Sequence, residues 1–252
     1  MELKSYWSAS RSHRYSLLFA LPLLILYEVL AASLHSDLSR GGEVRNGADV
    51  ILKTLFSAIA GPYGPILLGA ILIGGSLWLV IRDVRRNGGR WGVAGSDARL
   101  PVFLAMFAES VLLALAFGVV VGGITQRLLR PFLSMALGPV AEMDWWTRVM
   151  ISLGAGLYEE LLFRVLLVSA LALVAKRLFG LRVRAAGVVA AVSAAFIFSS
   201  FHYVGPFGDA LELTSFTFRF IGGLFFSGLF LLRGFGITAW THALYDLFLL
   251  AL

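Results

Sequence analysis

The stretch LYEELLFRVLL, residues 157–167, places two adjacent glutamates and an arginine among leucines. The chain around it has 252 residues, of which 59% are hydrophobic and only 14% are charged. A water-soluble domain of this length could hardly bury so large an apolar fraction in its core. The composition therefore predicts a membrane protein. Because charged side chains within a bilayer are costly and often functional, the three ionisable residues of this stretch need an explanation.

Long apolar runs predict an all-α fold, a polytopic transmembrane helix bundle. Several runs approach or exceed the roughly 18–20 residues that a helix needs to cross a hydrocarbon layer of about 30 Å. The alternating ten-residue pattern of a membrane β-barrel is not seen. Residues 49–60 are shorter and contain Lys53, which favours an interfacial or re-entrant helix, with an eighth span as the alternative. The seven predicted spans are approximately 15–34, 65–81, 101–124, 147–175, 186–201, 215–232 and 236–252.

Charge placement predicts the orientation of the chain. Basic residues are concentrated in segments 82–99 and 176–184, and short cytoplasmic loops carry an excess of Lys and Arg. Seven spans with a cytoplasmic amino terminus satisfy this rule. The net charge of +6 arises from such clusters, so they are interpreted as topology signals and no nucleic-acid partner is predicted. The first run resembles a signal peptide, but its length and Glu28 favour a retained helix.

No repeat or linker divides the chain, so residues 1–252 are predicted to form one integral-membrane domain. The absence of cysteine excludes disulfides, thiolate metal sites and cysteine nucleophiles. A compact, cysteine-free, arginine-rich membrane chain fits a bacterial inner membrane.

Ionisable residues within or beside the spans are candidates for function. Glu160 and Arg164 are four residues apart, which places them on one face of an α-helix as a favourable pair. Glu159 lies about 100° around the helix from Glu160 and has no partner nearby in sequence, so it is the better candidate for a chemical role. The alternative is that all three form a structural ion cluster. The full set is Glu28, Glu109, Glu159, Glu160, Arg164, His202, Arg219, His242 and Asp246.

Two histidines could complete a hydrolytic site. His202 follows Phe198 by four residues near the outer end of the fifth span, where an interfacial role is the plainer interpretation. His242 and Asp246 share one face of the last span, either as an oriented imidazole or as a packing lock. With Glu159 they could activate water and stabilise an oxyanion. Straight helices would nevertheless place Glu159, His202 and His242 at different depths. Tilt, a long fourth helix or a misplaced fifth-span boundary could reconcile the depths.

These residues resemble a known set of motifs. EELLFR, FSSFH and HALYD are similar to the motifs EExxxR, FxxxH and HxxxN/D of the CPBP intramembrane proteases. That family is also called the CAAX-protease and bacteriocin-processing or Abi family, and it includes Rce1-type prenyl-protein endopeptidases. The resemblance covers the carboxyl-terminal 90 to 100 residues, which implies a protease core at about 147–252.

The resemblance implies a role for each matched residue. Glu159 resembles the glutamate that activates water, with His202 as its partner, and His242 and Asp246 resemble the oxyanion site. Asp246 stands where the prenyl-protease branch usually has Asn. Because an ionised Asp cannot donate a hydrogen bond, it is expected to orient His242 or to be protonated. The supporting residues implied by the motifs are Glu160, Arg164 and Phe198.

The sequence therefore predicts an intramembrane, glutamate-type endopeptidase that acts on a membrane-associated protein or peptide within the lipid bilayer, with cleavage near the substrate's carboxyl terminus as one option. Two alternatives remain open, an inactive immunity or scaffold protein and an ion transporter. No cofactor or metal is predicted, since no HExxH helix is present, although two histidines and a glutamate could supply three zinc ligands.

Overall fold

The protein is described by a computed structural model that covers residues 3–35, 45–86, 100–129, 143–205 and 208–250. Every regular element in these ranges is a helix, which confirms the all-α fold class. Arg90 and Arg99, part of the predicted basic segment 82–99, lie outside the described residues. The α-helices are α1 (Leu3–Ser10), α2 (His13–His35), α3 (Gly47–Ala60), α4 (Gly64–Arg86), α5 (Leu100–Leu129), α6 (Trp145–Gly154), α7 (Ser169–Phe179), α8 (Val183–Phe201), α9 (Leu213–Arg233) and α10 (Phe235–Leu250).

Several helices are long and apolar enough to cross a membrane, as expected for an integral membrane protein. They account for five of the seven predicted spans, whereas crossing by 147–175 and 236–252 stays a prediction. Helix α10 has 16 residues, and at 1.5 Å per residue its length of about 24 Å is less than the hydrocarbon thickness. Among the described residues, the five stretches that meet the length and hydropathy requirements are His13–Leu34, Gly47–Arg86, Leu100–Leu129, Val183–Phe201 and Leu213–Arg233.

The short apolar stretch at 49–60 forms α3, which packs on α4 after a single 3₁₀ turn at Gly61–Tyr63. Leu52 of α3 and Leu68 of α4 lie in one buried apolar cluster. Asn46 caps the start of α3, where its side chain accepts a hydrogen bond from the Ala48 N–H. The two helices and the turn together make the stretch Gly47–Arg86 noted above. An interfacial or re-entrant position for α3 itself stays a prediction.

The centre of the bundle is a π-helix, Ala155–Val168, which continues α6 and leads directly into α7. It contacts α2, α3, α8, α9 and α10. Six consecutive residues, 155–160, are buried, because neighbouring helices cover more than one side of the segment. Hydrogen bonds in a π-helix join residues five apart. The α-helical spacing of 3.6 residues per turn that was predicted for this segment is therefore wrong. Such segments are rare and occur frequently at functional sites.

Glu109 and Glu28, two of the ionisable residues singled out in the sequence, serve helix packing. Arg233 is 3% exposed in its side chain and donates to Glu109 from Nε and Nη2, at N–O distances of 2.6 and 2.7 Å. This pair joins α9 to α5. Glu28 accepts a hydrogen bond of 2.5 Å from the Tyr158 hydroxyl, which joins α2 to the π-helix. Ion pairing and hydrogen bonding account for these carboxylates without a chemical role.

Candidate active site

The site is built where the π-helix meets α10 at very short range. A Cβ atom at Gly156 would lie 2.4 Å from the carbonyl oxygen of Ala239 and 2.6 Å from the Cβ of Ala243. Because real Cβ contacts are not that short, only glycine lets the two backbones approach in this way. The approach places Glu160, one helical turn after Gly156, against His242 of α10.

The carboxylate of Glu160 neutralises the charge of a buried guanidinium inside the site. Its Oε1 lies 3.1 Å from Nη1 of Arg164, which confirms the pair predicted from their spacing. The same oxygen lies 2.7 Å from Nδ1 of His242, a contact that the sequence did not reveal. Glu160 and Arg164 are 0% and 1% exposed, so both charges are removed from solvent. Glu160 is thus held between a cation of its own helix and an imidazole of α10.

Aromatic rings surround the positive partner. The guanidinium carbon of Arg164 lies 4.4 Å from the ring centre of Phe198 and 5.5 Å from that of Phe226. Phe226 also stacks on His242, with ring centroids 4.4 Å apart and planes inclined by 18°. Phe198 was a candidate from the FSSFH motif, whereas Phe226 was missed because it is one of many phenylalanines in α9. The rings fix the planes of the Arg164 guanidinium and the His242 imidazole by cation–π and stacking contacts.

Glu159 has different surroundings from Glu160. It is 7% exposed, and its Oε1 accepts a hydrogen bond of 2.9 Å from the side-chain amide of Asn46. Its carboxylate also interacts electrostatically with His202 and His242. Asn46 was missed because it lies 113 residues earlier in the chain. An asparagine directly before the apolar stretch 49–60 is a helix-start signal that could have drawn attention to it.

His202 lies at the carboxyl end of α8 with its ring held in one orientation. Its Nδ1 is 2.9 Å from the carbonyl oxygen of Phe198. Because a carbonyl can only accept, Nδ1 carries the hydrogen and Nε2 presents its lone pair. The Phe198 ring lies edge-on to His202 at 4.9 Å and to His242 at 6.4 Å. The ends of the helices therefore lie close enough for Glu159 to interact with both histidines, so the separation expected for straight helices is not found.

The second nitrogen of His242 faces Asp246. The distance from Nε2 to Asp246 Oδ2 is 3.7 Å, too long for a direct hydrogen bond. Glu160, not Asp246, is therefore the closer carboxylate partner of His242. Arg219 of α9 interacts electrostatically with both Asp246 and His202, and it forms an ion pair with Asp209.

Metal ligation was left open by the sequence. Among the described residues, no three His, Asp or Glu side chains converge closely enough to hold a metal ion. Glu159 Oε1 and His242 Nδ1 are each engaged by a protein partner, as is His202 Nδ1. The metal-free and cofactor-free site therefore stays a prediction that a chelator can test.

The fold and the site define a class: a helical integral-membrane protein with a buried cluster of carboxylates and imidazoles at the meeting point of three helices. Residues 141–248 match the family model described as Type II CAAX prenyl endopeptidase Rce1-like. This segment is accordingly an Rce1-like domain, which confirms the resemblance seen in the motifs and places the domain in a peptidase family. All seven candidate residues from the three motifs lie inside it, whereas Asn46 lies outside.

Comparison with curated proteins gave no match, and comparison with solved structures also gave none.

Proposed function

We propose that the protein is an intramembrane endopeptidase of the glutamate type, which hydrolyses a peptide bond in a membrane-associated protein or peptide. The observation that carries this proposal is the contrast between the two adjacent glutamates. Glu160 is neutralised by Arg164 and His242. Glu159 receives only a neutral amide donor from the described residues. A buried carboxylate that is not consumed by a salt bridge is the form that a general base requires.

The chemistry begins with water held by Glu159 and Nε2 of His202. Glu159 takes a proton from the water as its oxygen adds to the carbonyl carbon of the scissile bond. The C–N bond then breaks, and the departing nitrogen receives that proton, delivered by Glu159 or by His202. The products are a carboxylic acid and an amine, so water is the only co-reactant. General acid–base catalysis of this kind contributes roughly 10²- to 10⁴-fold in rate.

His242 is the proposed oxyanion donor. Its Nδ1–H is committed to Glu160, whereas Nε2 faces Asp246 across 3.7 Å. With a hydrogen on both nitrogens, Nε2–H can donate to the oxygen that becomes negative as water adds. Asp246 then serves to orient and support the imidazolium, since an ionised carboxylate cannot itself donate. A removed oxyanion-hole donor costs roughly 10²- to 10³-fold in kcat.

The substrate class follows from the location of the site and the description of the family. The matched family is described as a CAAX prenyl endopeptidase, in which the Cys of a carboxyl-terminal C-a-a-X sequence is prenylated. A membrane-associated substrate cleaved near its carboxyl terminus is the proposed class for this chain. The proposed setting is a bacterial inner membrane with the amino terminus of the enzyme in the cytoplasm.

Carboxyl-terminal mapping of membrane proteins tests this function without a known substrate. Membranes that contain the wild type are compared with membranes that contain Glu159→Gln, at matched protein levels. We expect new carboxyl termini in the wild type that are absent with the variant. The control is Glu212→Gln, the same chemical change at a half-buried position beside α9. Identical termini in all three samples would favour the alternative of an inactive immunity or scaffold protein.

Two synthetic probes then define the substrate. One is an internally quenched peptide that ends in farnesyl-cysteine, two aliphatic residues and a free carboxyl-terminal residue, and the other is the same peptide without the farnesyl group. Cleavage of the first alone supports a prenylated substrate. Cleavage of both shows that the lipid is not required.

A further inference from the structure

We infer that Asn46, a residue of the amino-terminal helical hairpin outside the Rce1-like segment, is a positioning residue for Glu159. The inference rests on the proposed function of Glu159 as the general base. It assigns the hairpin α3–α4 a part in the reaction, because the residue that orients the base is contributed by the start of α3.

The orientation of the Asn46 amide is fixed by its own helix. Its Oδ1 accepts a hydrogen bond of 2.9 Å from the Ala48 N–H as the N-cap of α3. Since the carbonyl end of the amide is used in this way, the NH₂ end must be the one that faces Glu159. Nδ2 lies 2.9 Å from Glu159 Oε1, and Asn46 is only 4% exposed. The amide therefore donates to the carboxylate in a single arrangement.

The backbone of Asn46 is held by α2. Its N–H donates to the Tyr27 hydroxyl at 3.3 Å, and that hydroxyl donates to Asp49 Oδ2 at 2.8 Å. Asp49 is fully buried and is neutralised by Lys53 at 2.8 Å. Three helices, α2, α3 and the π-helix, thus converge on one residue through hydrogen bonds to its main-chain N–H and its side-chain amide.

Packing leaves the amide little freedom to move away. A Cβ atom at Gly154 would lie 2.5 Å from the ring of Tyr27 and 2.8 Å from the Cβ of Asn46. The main chain that leads into the π-helix therefore lies directly against Asn46, five residues before Glu159. The close approach of the Gly154 main chain therefore keeps the start of α3 next to the π-helix.

This contact gives Glu159 an asymmetric carboxylate. Oε1 is committed to Asn46, so Oε2 is the oxygen left to take the proton from water. The neutral amide of Asn46 stabilises the ionised carboxylate of Glu159 by a hydrogen bond without a salt bridge. Glu160, in contrast, forms a salt bridge with Arg164. The positioning role predicts that loss of the amide lowers kcat about ten- to a hundred-fold, as expected for a hydrogen bond to a charged group, with KM little changed.

Two variants separate positioning from capping. Asn46→Ser and Asn46→Asp both retain an N-cap acceptor for the Ala48 N–H, and both lose the amide donor to Glu159. We expect both variants to fold and both to lose kcat, with Asn46→Asp the worse because it sets one carboxylate against another. The acidic limb of the pH–rate profile should move to higher pH in Asn46→Ser. The control Gln126→Glu makes the same amide-to-acid change on the exposed side of α5.

The rates are measured on the substrate identified by carboxyl-terminal mapping. A double-mutant cycle of Asn46→Ser with Glu159→Ala in thermal unfolding needs no substrate, and alanine removes the acceptor oxygen that glutamine would retain. Non-additive effects in the cycle together with reduced kcat support the inference. An additive cycle overturns the inference. It is also overturned if Asn46→Ser has the wild-type kcat and pH profile while Glu159→Gln is inactive. Full activity of Glu159→Gln would instead overturn the proposed function, whatever the cycle shows.

Discussion

Replacing Glu160 by Gln should destabilise the protein far more than its mild chemistry suggests. Glu160 is fully buried and is 3.1 Å from Arg164 and 2.7 Å from His242. The substitution leaves the guanidinium of Arg164 buried without its paired carboxylate. Its remaining interactions are with the ring faces of Phe198 and Phe226 and, electrostatically, with Glu159. Removing one partner of a buried ion pair costs about 3–5 kcal/mol. That loss lowers the ratio of folded to unfolded protein by roughly 10²- to 10⁴-fold.

The measurement is the free energy of unfolding in detergent micelles, followed by the fluorescence of the six tryptophans. Glu212→Gln is the matched control and should change this free energy by no more than about 0.5 kcal/mol, as for an ordinary surface substitution. The double variant Glu160→Leu/Arg164→Leu removes both charges and should be less destabilised than the sum of the two single variants. A loss for Glu160→Gln no greater than that of the control would refute the assigned role of the ion pair.

Three further predictions concern packing, capping and metal. Gly156→Ala should lower the free energy of unfolding by about 1–3 kcal/mol and reduce cleavage, because the added methyl overlaps α10; thermal unfolding and activity assays check this. Asp144 caps α6, and hydrogen bonds from Thr147 hold the pKa of its carboxyl below the usual range. The stability that ionised Asp144 contributes should be lost as the pH falls through this lowered pKa, so the melting temperature of Asp144→Asn should depend less on pH below about 4. Cleavage should persist after treatment with 1,10-phenanthroline.

Each of these has a matched comparison. Gly187→Ala introduces a methyl group at a glycine of α8 with open space around it and should be neutral or slightly stabilising; equal effects at Gly156 and Gly187 would contradict the packing account. Identical acid profiles for the wild type and Asp144→Asn would show that the cap does not titrate. Activity lost to the chelator and restored by zinc would establish a metal site.

Local pairs in the site were accessible from the sequence, and distant ones were not. Glu160 and Arg164 were predicted as a pair because four residues separate them on one helix, and the pair survives although the helix is π rather than α. The π-helix itself could not be predicted, since its apolar pattern does not differ from that of an α-helix. Its wider winding depends on packing against neighbouring helices on several sides.

Contacts between distant segments required the structure. The hydrogen bond from Asn46 to Glu159 spans 113 residues and that from His242 to Glu160 spans 82. The motif HALYD suggested Asp246 as the partner of His242, because only neighbours in sequence are visible in a motif. The closer partner is Glu160, whose place is set by the glycine contact between the π-helix and α10. Five of the seven predicted spans correspond to stretches that are long and apolar enough to cross a membrane. The other two cannot be judged by length and hydropathy alone.

The position of α10 as the last described helix has a consequence for how the protein is made. The π-helix with its two glutamates is synthesised before His242 and Asp246, so a growing chain carries the proposed base before it carries the proposed oxyanion donor. Until α10 docks through Gly156, Glu160 has only Arg164 as a counter-charge. The proposed hydrolytic site is therefore incomplete until α10 has been synthesised and has packed against the π-helix.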